Sequence, residues 1–195
     1  MAPHAALAEI SADYELVPVP LDEAGRPSPA YLVLNPSGLV PTLEDGSFVL
    51  TESVAILLHL GDRFPKAGLV PALGTLERSE VYRSLVYQTN TLQTALLHVM
   101  YPERYGSAGV GELAATSVAQ QFDRLDAGLA GRTWLVGEER TAADLFLFML
   151  TRWGRRLDPP AWDRPHLRAH FRRTLALPGV ARMVAEQGLE LPSFP

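Results

Sequence analysis

Residues 35–57 read NPSGLVPTLEDGSFVLTESVAIL. The breakers at 35–38 force the chain to reverse. Asp45-Gly46 lies between two short apolar runs, and this pattern predicts a β-hairpin because both turn residues tolerate positive φ. Thr51 has the side chain of a helix N-cap, and the apolar residues after it predict a helix that ends at Phe64. We therefore predict a turn, a hairpin and a helix in that order.

The residues before this stretch predict a short helix, an edge strand and a helical turn. Alanine and leucine follow Pro3, which suits a first helical turn, and we expect this helix to end near Ser11. Residues 14–19 (YELVPV) have the composition of a strand, and Pro18 confines that strand to a sheet edge or a strand end. Residues 30–34 predict one brief helical turn.

The second part of the chain is helical in pattern. Residues 65–74 (PKAGLVPALG) hold too many breakers for regular structure, so we predict a domain at 1–66, a linker at 67–74 and an all-helical domain at 75–195. The predicted helices of the latter cover residues 75–100, 110–129, 142–156, 165–175 and 178–188. The third of them is apolar on nearly all sides, and we expect it at the centre of the domain.

Composition excludes several classes of function. The 195 residues carry a formal charge of -5, which repels nucleic acid phosphates. The absence of cysteine removes disulfides, thiolate metal sites and cysteine nucleophiles, so any thiol chemistry needs a thiol supplied by the substrate. We expect a soluble, cytoplasmic protein that binds no metal, no nucleic acid and no membrane.

Two predicted helix starts carry polar residues with different implications. Thr141 and Asp144 have the spacing of a capping box, which we interpret as purely structural. Glu52 and Ser53 begin the helix after the hairpin, where free N–H groups and the helix dipole favour a bound carboxylate. Thr51 and Glu52 would also cap a helix that binds nothing, so both interpretations of this second start stay open.

Val40-Pro41 opens the hairpin. A residue before proline is pushed to extended geometry, and a cis bond here would turn the Val40 N–H and C=O away from the sheet ladder. Those groups could then pair with an extended peptide added at the edge. The alternative is a trans proline that closes a strand, and position and context favour the cis bond.

Three motifs in order resemble the soluble glutathione transferases: residues 35–43, residues 51–57, and WLVG at 134–137 followed by TAAD at 141–144. The resemblance covers nearly the whole chain. It implies an α/β thioredoxin-like domain followed by an all-helical domain, with glutathione as co-substrate.

The resemblance also implies roles for individual residues. Val40 and Pro41 would hold the peptide backbone of glutathione, while Ser53 would bind the γ-glutamyl carboxylate and Glu52 would face its ammonium. Leu39 stands where many relatives carry Lys or Gln for the glycine carboxylate, which weakens the expected affinity.

His98 is a minor candidate for a catalytic role. Bacterial relatives with an active-site cysteine carry a histidine that faces the bound thiol near the end of the corresponding long helix, and lysine follows it. Here Val99 follows, and a lone histidine on an apolar helix face is more often a packed core residue.

The start of the sequence departs from the family. Residues 1–4 match the stretch just after the loop that carries the thiol-activating Tyr, Ser or Cys, so we expect a chain that lacks the first strand and this loop. No residue can then be assigned the thiol-activating role, and activity of this chain is in question.

We expect a glutathione transferase that acts on a small apolar electrophile and forms a homodimer through the helix at 75–100. The alternative is a non-catalytic glutathione-binding or protein-interaction module with the same fold. The sequence does not distinguish transferase from isomerase, peroxidase or dehalogenase chemistry.

Overall fold

The computed structural model describes residues 1–106 and 108–192. Its helices are α1 (Ala2–Glu9), α2 (Pro29–Leu34), α3 (Ser53–Arg63), α4 (Leu76–Tyr87), α5 (Thr94–Met100), α6 (Ala108–Gly128), α7 (Ala142–Trp153), α8 (Pro165–Leu175) and α9 (Pro178–Glu186). Strands β1 (Thr42–Asp45) and β2 (Phe48–Thr51) precede α3. A π-helical segment, Gln88–Gln93, joins α4 to α5.

The predicted hairpin is confirmed, with its turn one residue later than expected. Strands β1 and β2 pair antiparallel, and Asp45 lies opposite Phe48. The two turn residues are therefore Gly46 and Ser47. Gly46 has a φ of 62°, a left-handed conformation that glycine adopts without steric cost.

The strand predicted at residues 14–19 is wrong. In the described parts of the chain the sheet contains β1 and β2 only. Residues 14–19 pair with neither strand, and both Leu16 and Val17 are exposed. An edge strand needs a neighbouring ladder to satisfy its backbone, and Pro18 removes one of the donors that would join it. This segment therefore runs over the surface without strand pairing.

The predicted helices of the second part of the chain are confirmed, with changes at their ends. The helix expected at 75–100 is formed by α4, the π-helical segment and α5, which follow one another without a gap. Residues 65–74, expected to be irregular, include a 3₁₀ turn at Pro65–Ala67. Helix α7 is buried at every position from Ala142 to Thr151, as its sequence predicts. None of the helices in the described ranges is long and apolar enough to cross a membrane.

The start of α7 is held by one buried carboxylate. Asp144 is fully buried and completes the predicted capping box with Thr141, whose backbone N–H donates to Asp144 Oδ2 at 2.8 Å. The other oxygen, Oδ1, accepts the backbone N–H of Leu135 and pairs with His170 Nε2, both at 2.9 Å. Because every partner is fixed, this carboxylate sets the position and direction of the central helix.

Helix α1 is tied to α9 by a second buried carboxylate. Glu9 accepts the backbone N–H groups of Gly179 and Val180 at 2.6 and 3.2 Å, at the positive end of α9. Its other oxygen accepts Arg140 Nε at 3.0 Å. A Cβ on Gly179 would lie 2.4 Å from the Glu9 backbone nitrogen, so only glycine allows this approach. The N-terminal helix therefore packs directly on the last helix.

The same two helices share a polar cluster nearer the surface. Glu186 accepts the Tyr14 hydroxyl at 2.6 Å, Arg182 Nε at 2.7 Å and His4 Nε2 at 2.6 Å. These hydrogen bonds, that of Tyr14 first, lower the pKa of Glu186 from its ordinary value of 4.5 to about 2. Partial burial and the bond to Glu186 raise the pKa of Tyr14 to about 12. The ionised form of Glu186 is thus favoured in the folded state.

We expect Glu186→Gln to lower the free energy of unfolding at neutral pH and to have a diminishing effect in acid. The folded pKa of Glu186 lies below its unfolded value, so its contribution is present above about pH 4.5 and is lost as the pH falls towards 2. Urea unfolding from pH 7 to pH 3 measures the difference between variant and wild type. Glu138→Gln, at an exposed position, is the matched control. A wild-type advantage that grows with acid would contradict this assignment.

Candidate functional site

The loop before β1 is fixed by two side chains. The carbonyl oxygen of Leu39 accepts both the Tyr31 hydroxyl at 2.6 Å and Asn35 Nδ2 at 2.7 Å. The Tyr31 hydroxyl also lies 2.8 Å from Thr42 Oγ1, at the start of β1. Asn35 is buried, and its Oδ1 accepts the Ser37 backbone N–H at 3.1 Å. The backbone on both sides of Val40 is therefore held in place.

Val40 itself presents a free backbone edge. The Val40-Pro41 peptide bond is cis, as predicted, and Val40 is 68% exposed. Neither the N–H nor the C=O of Val40 bonds to another described residue, since ladder pairing of β1 begins at Thr42. Unpaired, exposed backbone groups on fixed supports are suited to an incoming extended peptide.

The start of α3 lies close to this edge and is uncapped. Thr51 does not cap the helix as predicted, because it is the last residue of β2. Glu52 occupies the N-cap with a φ of 68° and makes no side-chain capping bond. A left-handed conformation at a glutamate costs about 1–3 kcal/mol, and such residues cluster at functional sites. The N–H groups of the first turn of α3 thus remain available to a ligand.

These two features open into one cavity of about 110 Å³. The lining residues come from the loop, the start of α3 and the π-helical segment: Asn35, Ser37, Leu39, Val40, Pro41, Thr51, Glu52, Ser53, Val54, Thr89 and Gln93. Glu52 is the charged member of this set. Neither its carboxylate nor the Ser53 hydroxyl bonds to any residue that the structure describes. The cavity therefore offers a peptide edge, a helix N-terminus and one carboxylate with no partner.

This arrangement can bind a zwitterionic peptide end. A carboxylate is favoured by the free N–H groups and dipole of α3 together with a serine hydroxyl. An ammonium is favoured by the Glu52 carboxylate. An extended peptide bond next to that head group can pair with the Val40 backbone. No cluster of three or more potential metal ligands occurs among the described residues.

The structure brings together all four residues expected to hold a peptide and leaves out the fifth candidate. Val40, Pro41, Glu52 and Ser53 all line the cavity. His98 does not; its ring packs edge-on against Tyr105, with ring centroids 4.1 Å apart. His98 lies in α5, beyond the π-helical segment.

Sequence reasoning missed Thr89 and Gln93. Both line the cavity from the helical part of the chain. They lie four residues apart on a predicted helix, so the sequence could have shown that both side chains lie on one face. Which face would meet the hairpin depends on long-range packing that the sequence pattern does not give.

The architecture is a thioredoxin-like N-terminal domain followed by a helical domain, and comparison with known proteins gives the family. The model of the glutathione S-transferase N-terminal domain matches residues 1–62, and that of the C-terminal domain matches residues 88–178. The chain belongs to the glutathione S-transferase family, a family of transferases. The exact domain boundaries predicted at residues 66 and 75 stay predictions.

Individual relatives agree over nearly the full length. The chain is 32% identical to glutathione S-transferase GST-4.5 of Xanthomonas campestris pv. campestris, covering 97% of this chain and 94% of that protein. It is 28% identical to GstA of Escherichia coli O157:H7 over the same shares. A sphingomonad glutathione S-transferase solved in complex with glutathione superposes with a TM-score of 0.84 at 34% identity, again covering 97% and 94%. The expected absence of the family's first strand and loop stays a prediction.

Proposed function

We propose that the chain joins the sulfur of glutathione to a small apolar electrophile, as a cytoplasmic detoxifying transferase. The thiol S–H bond breaks as a carbon–sulfur bond forms: in a substitution the proton and the leaving group are both released, and in an addition the proton passes to the adduct. The observation that carries the proposal is that the free Val40 edge and the uncapped start of α3 share one cavity. The helix start suits the γ-glutamyl carboxylate of a tripeptide, and the Val40 edge suits the peptide backbone next to it.

Each of the four cavity residues has a role in binding glutathione. The N–H and C=O of Val40, fixed next to Pro41, pair with the cysteinyl backbone. The Ser53 hydroxyl and the N–H groups of α3 bind the γ-glutamyl carboxylate, while Glu52 binds the ammonium. Leu39 lines the cavity without a polar group, so the glycine carboxylate gains no partner from it.

The proposal assigns no residue to thiol activation. None of the described residues that line the cavity is a tyrosine or a cysteine; of its serines, Ser37 donates its hydroxyl to Asn35 Oδ1, and Ser53 is assigned here to the γ-glutamyl carboxylate. A free thiol has a pKa of about 8.5, so most of it stays protonated at neutral pH without a local donor. This observation favours a second candidate function, a non-catalytic glutathione-binding or protein-interaction module. Isothermal titration with glutathione, followed by a conjugation assay with an aryl halide, separates binding from turnover.

We expect Ser53→Ala to weaken glutathione binding by roughly 1.5–3 kcal/mol, the usual range for a hydrogen bond to a charged group. Thr141→Ala is the control, because Thr141 also stands at a helix start but lies in the Asp144 network. It should lower stability by about 0.5–2 kcal/mol and leave affinity unchanged. Titration calorimetry and thermal unfolding measure the two effects. Unchanged affinity in Ser53→Ala, with reduced affinity in a folded Thr141→Ala, would refute the assignment.

We further propose a two-fold homodimer packed through α4 and the hairpin. Tyr82 and Val86 lie four residues apart on α4 and are exposed, as is Phe48 on β2. Exposed apolar side chains on these two elements suit a self-complementary interface.

Light scattering at micromolar concentration should give twice the 21.3 kDa mass of the chain. Val86→Lys should shift the protein towards monomer, because a charge would be buried without a partner. Leu113→Lys, at an even more exposed apolar position on α6, should leave the mass unchanged. A wild-type protein with the mass of one chain would rule the dimer out.

A further inference from the structure

The backbone of Leu39, the residue before Val40, is already fully hydrogen-bonded. Its carbonyl oxygen accepts the Tyr31 hydroxyl at 2.6 Å and Asn35 Nδ2 at 2.7 Å. Because a carbonyl oxygen has two lone pairs, neither is left for a ligand. The Leu39 N–H donates to the Ser37 hydroxyl at 3.3 Å. A ligand that pairs with this loop through its own backbone therefore meets the free groups of Val40 and not those of Leu39.

The same two donors also reach the far side of Val40. The Tyr31 hydroxyl lies 2.8 Å from Thr42 Oγ1, and Asn35 Nδ2 donates to that oxygen at 3.3 Å. Leu39 and Thr42 lie on either side of Val40 and the proline after it, so one hydroxyl and one amide join both ends of this short segment. Hydrogen bonds of this kind hold the groups that meet a ligand in a fixed orientation. The direction of the Val40 N–H and C=O thus depends on Tyr31 and Asn35.

Tyr31 acts on the cavity from outside it. It belongs to α2, where its backbone N–H donates to the capping hydroxyl of Ser28 at 3.3 Å, and it is not one of the residues that line the cavity. Asn35, the C-cap of α2, is buried and donates its backbone N–H to the Tyr31 carbonyl at 2.9 Å. Leu39 is an exposed loop residue, where water can satisfy a carbonyl. Two side-chain donors on this one oxygen therefore indicate that its position matters, and not only its hydrogen bonding.

We infer that Tyr31 is a positioning residue for the peptide backbone of glutathione. Together with Asn35 it occupies the Leu39 carbonyl and leaves Val40 as the pairing residue. This inference rests on the proposed function, in which the Val40 N–H and C=O pair with the cysteinyl backbone. An extended peptide that shifts by one residue turns its side chains to the opposite face. By fixing the pairing at Val40, Tyr31 therefore also fixes the face from which the cysteinyl sulfur projects.

Tyr31→Phe tests this role because it removes the hydroxyl and keeps the ring. Glutathione affinity should fall about fivefold, the loss expected for one hydrogen bond. L-Glutamine keeps the γ-glutamyl head group and lacks the cysteinyl backbone, so its affinity should stay unchanged. A purely structural role of Tyr31 would instead distort the whole cavity and weaken both ligands by the same factor. Titrations followed through the Ser53 amide by NMR measure both affinities.

Tyr14→Phe is the matched control. The Tyr14 hydroxyl donates to Glu186 at the same distance of 2.6 Å, and Tyr14 does not line the cavity, so its loss should lower the thermal midpoint and leave both affinities unchanged. Equal weakening of glutathione and L-glutamine in Tyr31→Phe would overturn the inference. Glutathione affinity of Tyr31→Phe within twofold of wild type, while Ser53→Ala is weakened, would also overturn it and leave the proposed function intact. A wild-type protein that binds no glutathione would reject the proposed function and the inference together.

Discussion

The buried carboxylate of Asp144 is the interaction on which the arrangement of this molecule depends. It fixes the first turn of α7 through Thr141, Leu135 and His170. That turn has two further tasks. The Ala142 N–H donates to the Leu69 carbonyl at 2.7 Å and ties the chain between α3 and α4 to the central helix, and the next carbonyl accepts Gln88. The chain that follows α3 and the π-helical segment that lines the cavity are thereby both bonded to the start of α7.

Some side chains around the cavity hold its backbone in place, and other groups are left without a partner. Tyr31 and Asn35 donate hydrogen bonds to the Leu39 carbonyl, and Gln88 donates to a carbonyl of α7. The Val40 backbone, the Glu52 carboxylate and the Ser53 hydroxyl, by contrast, bond to no described residue. A ligand therefore meets donors and acceptors that are already positioned and need little reorganisation, which lowers the entropic cost of binding.

Local chemistry predicted much of this structure. The hairpin, the buried α7 and the capping box of Thr141 follow from turn residues, hydrophobic pattern and side-chain spacing, all of which act within a few residues. The strand expected at residues 14–19 failed because a strand exists only with a neighbour. The cap assigned to Thr51 failed because ladder pairing extends β2 to that residue and moves the N-cap to Glu52.

The residues of the candidate site likewise divide into those that local sequence predicts and those that depend on long-range packing. Val40 and Ser53 were predictable, since one precedes a proline and the other begins a helix. The place of Thr89 and Gln93 in the cavity lining was not, because it depends on the packing of a helix against a distant hairpin. His98, a minor candidate on the same predicted helix, lies beyond the π-helical segment and packs on Tyr105.

The most direct test of the central claim is a titration of the ¹⁵N-labelled protein with glutathione, followed by NMR. The account predicts that the backbone amides of Val40 and Ser53 shift together and saturate with one dissociation constant. The amides of α8 and α9, which do not line the cavity, should not shift. Binding that shifts other regions and leaves the Val40 and Ser53 amides unmoved would contradict it.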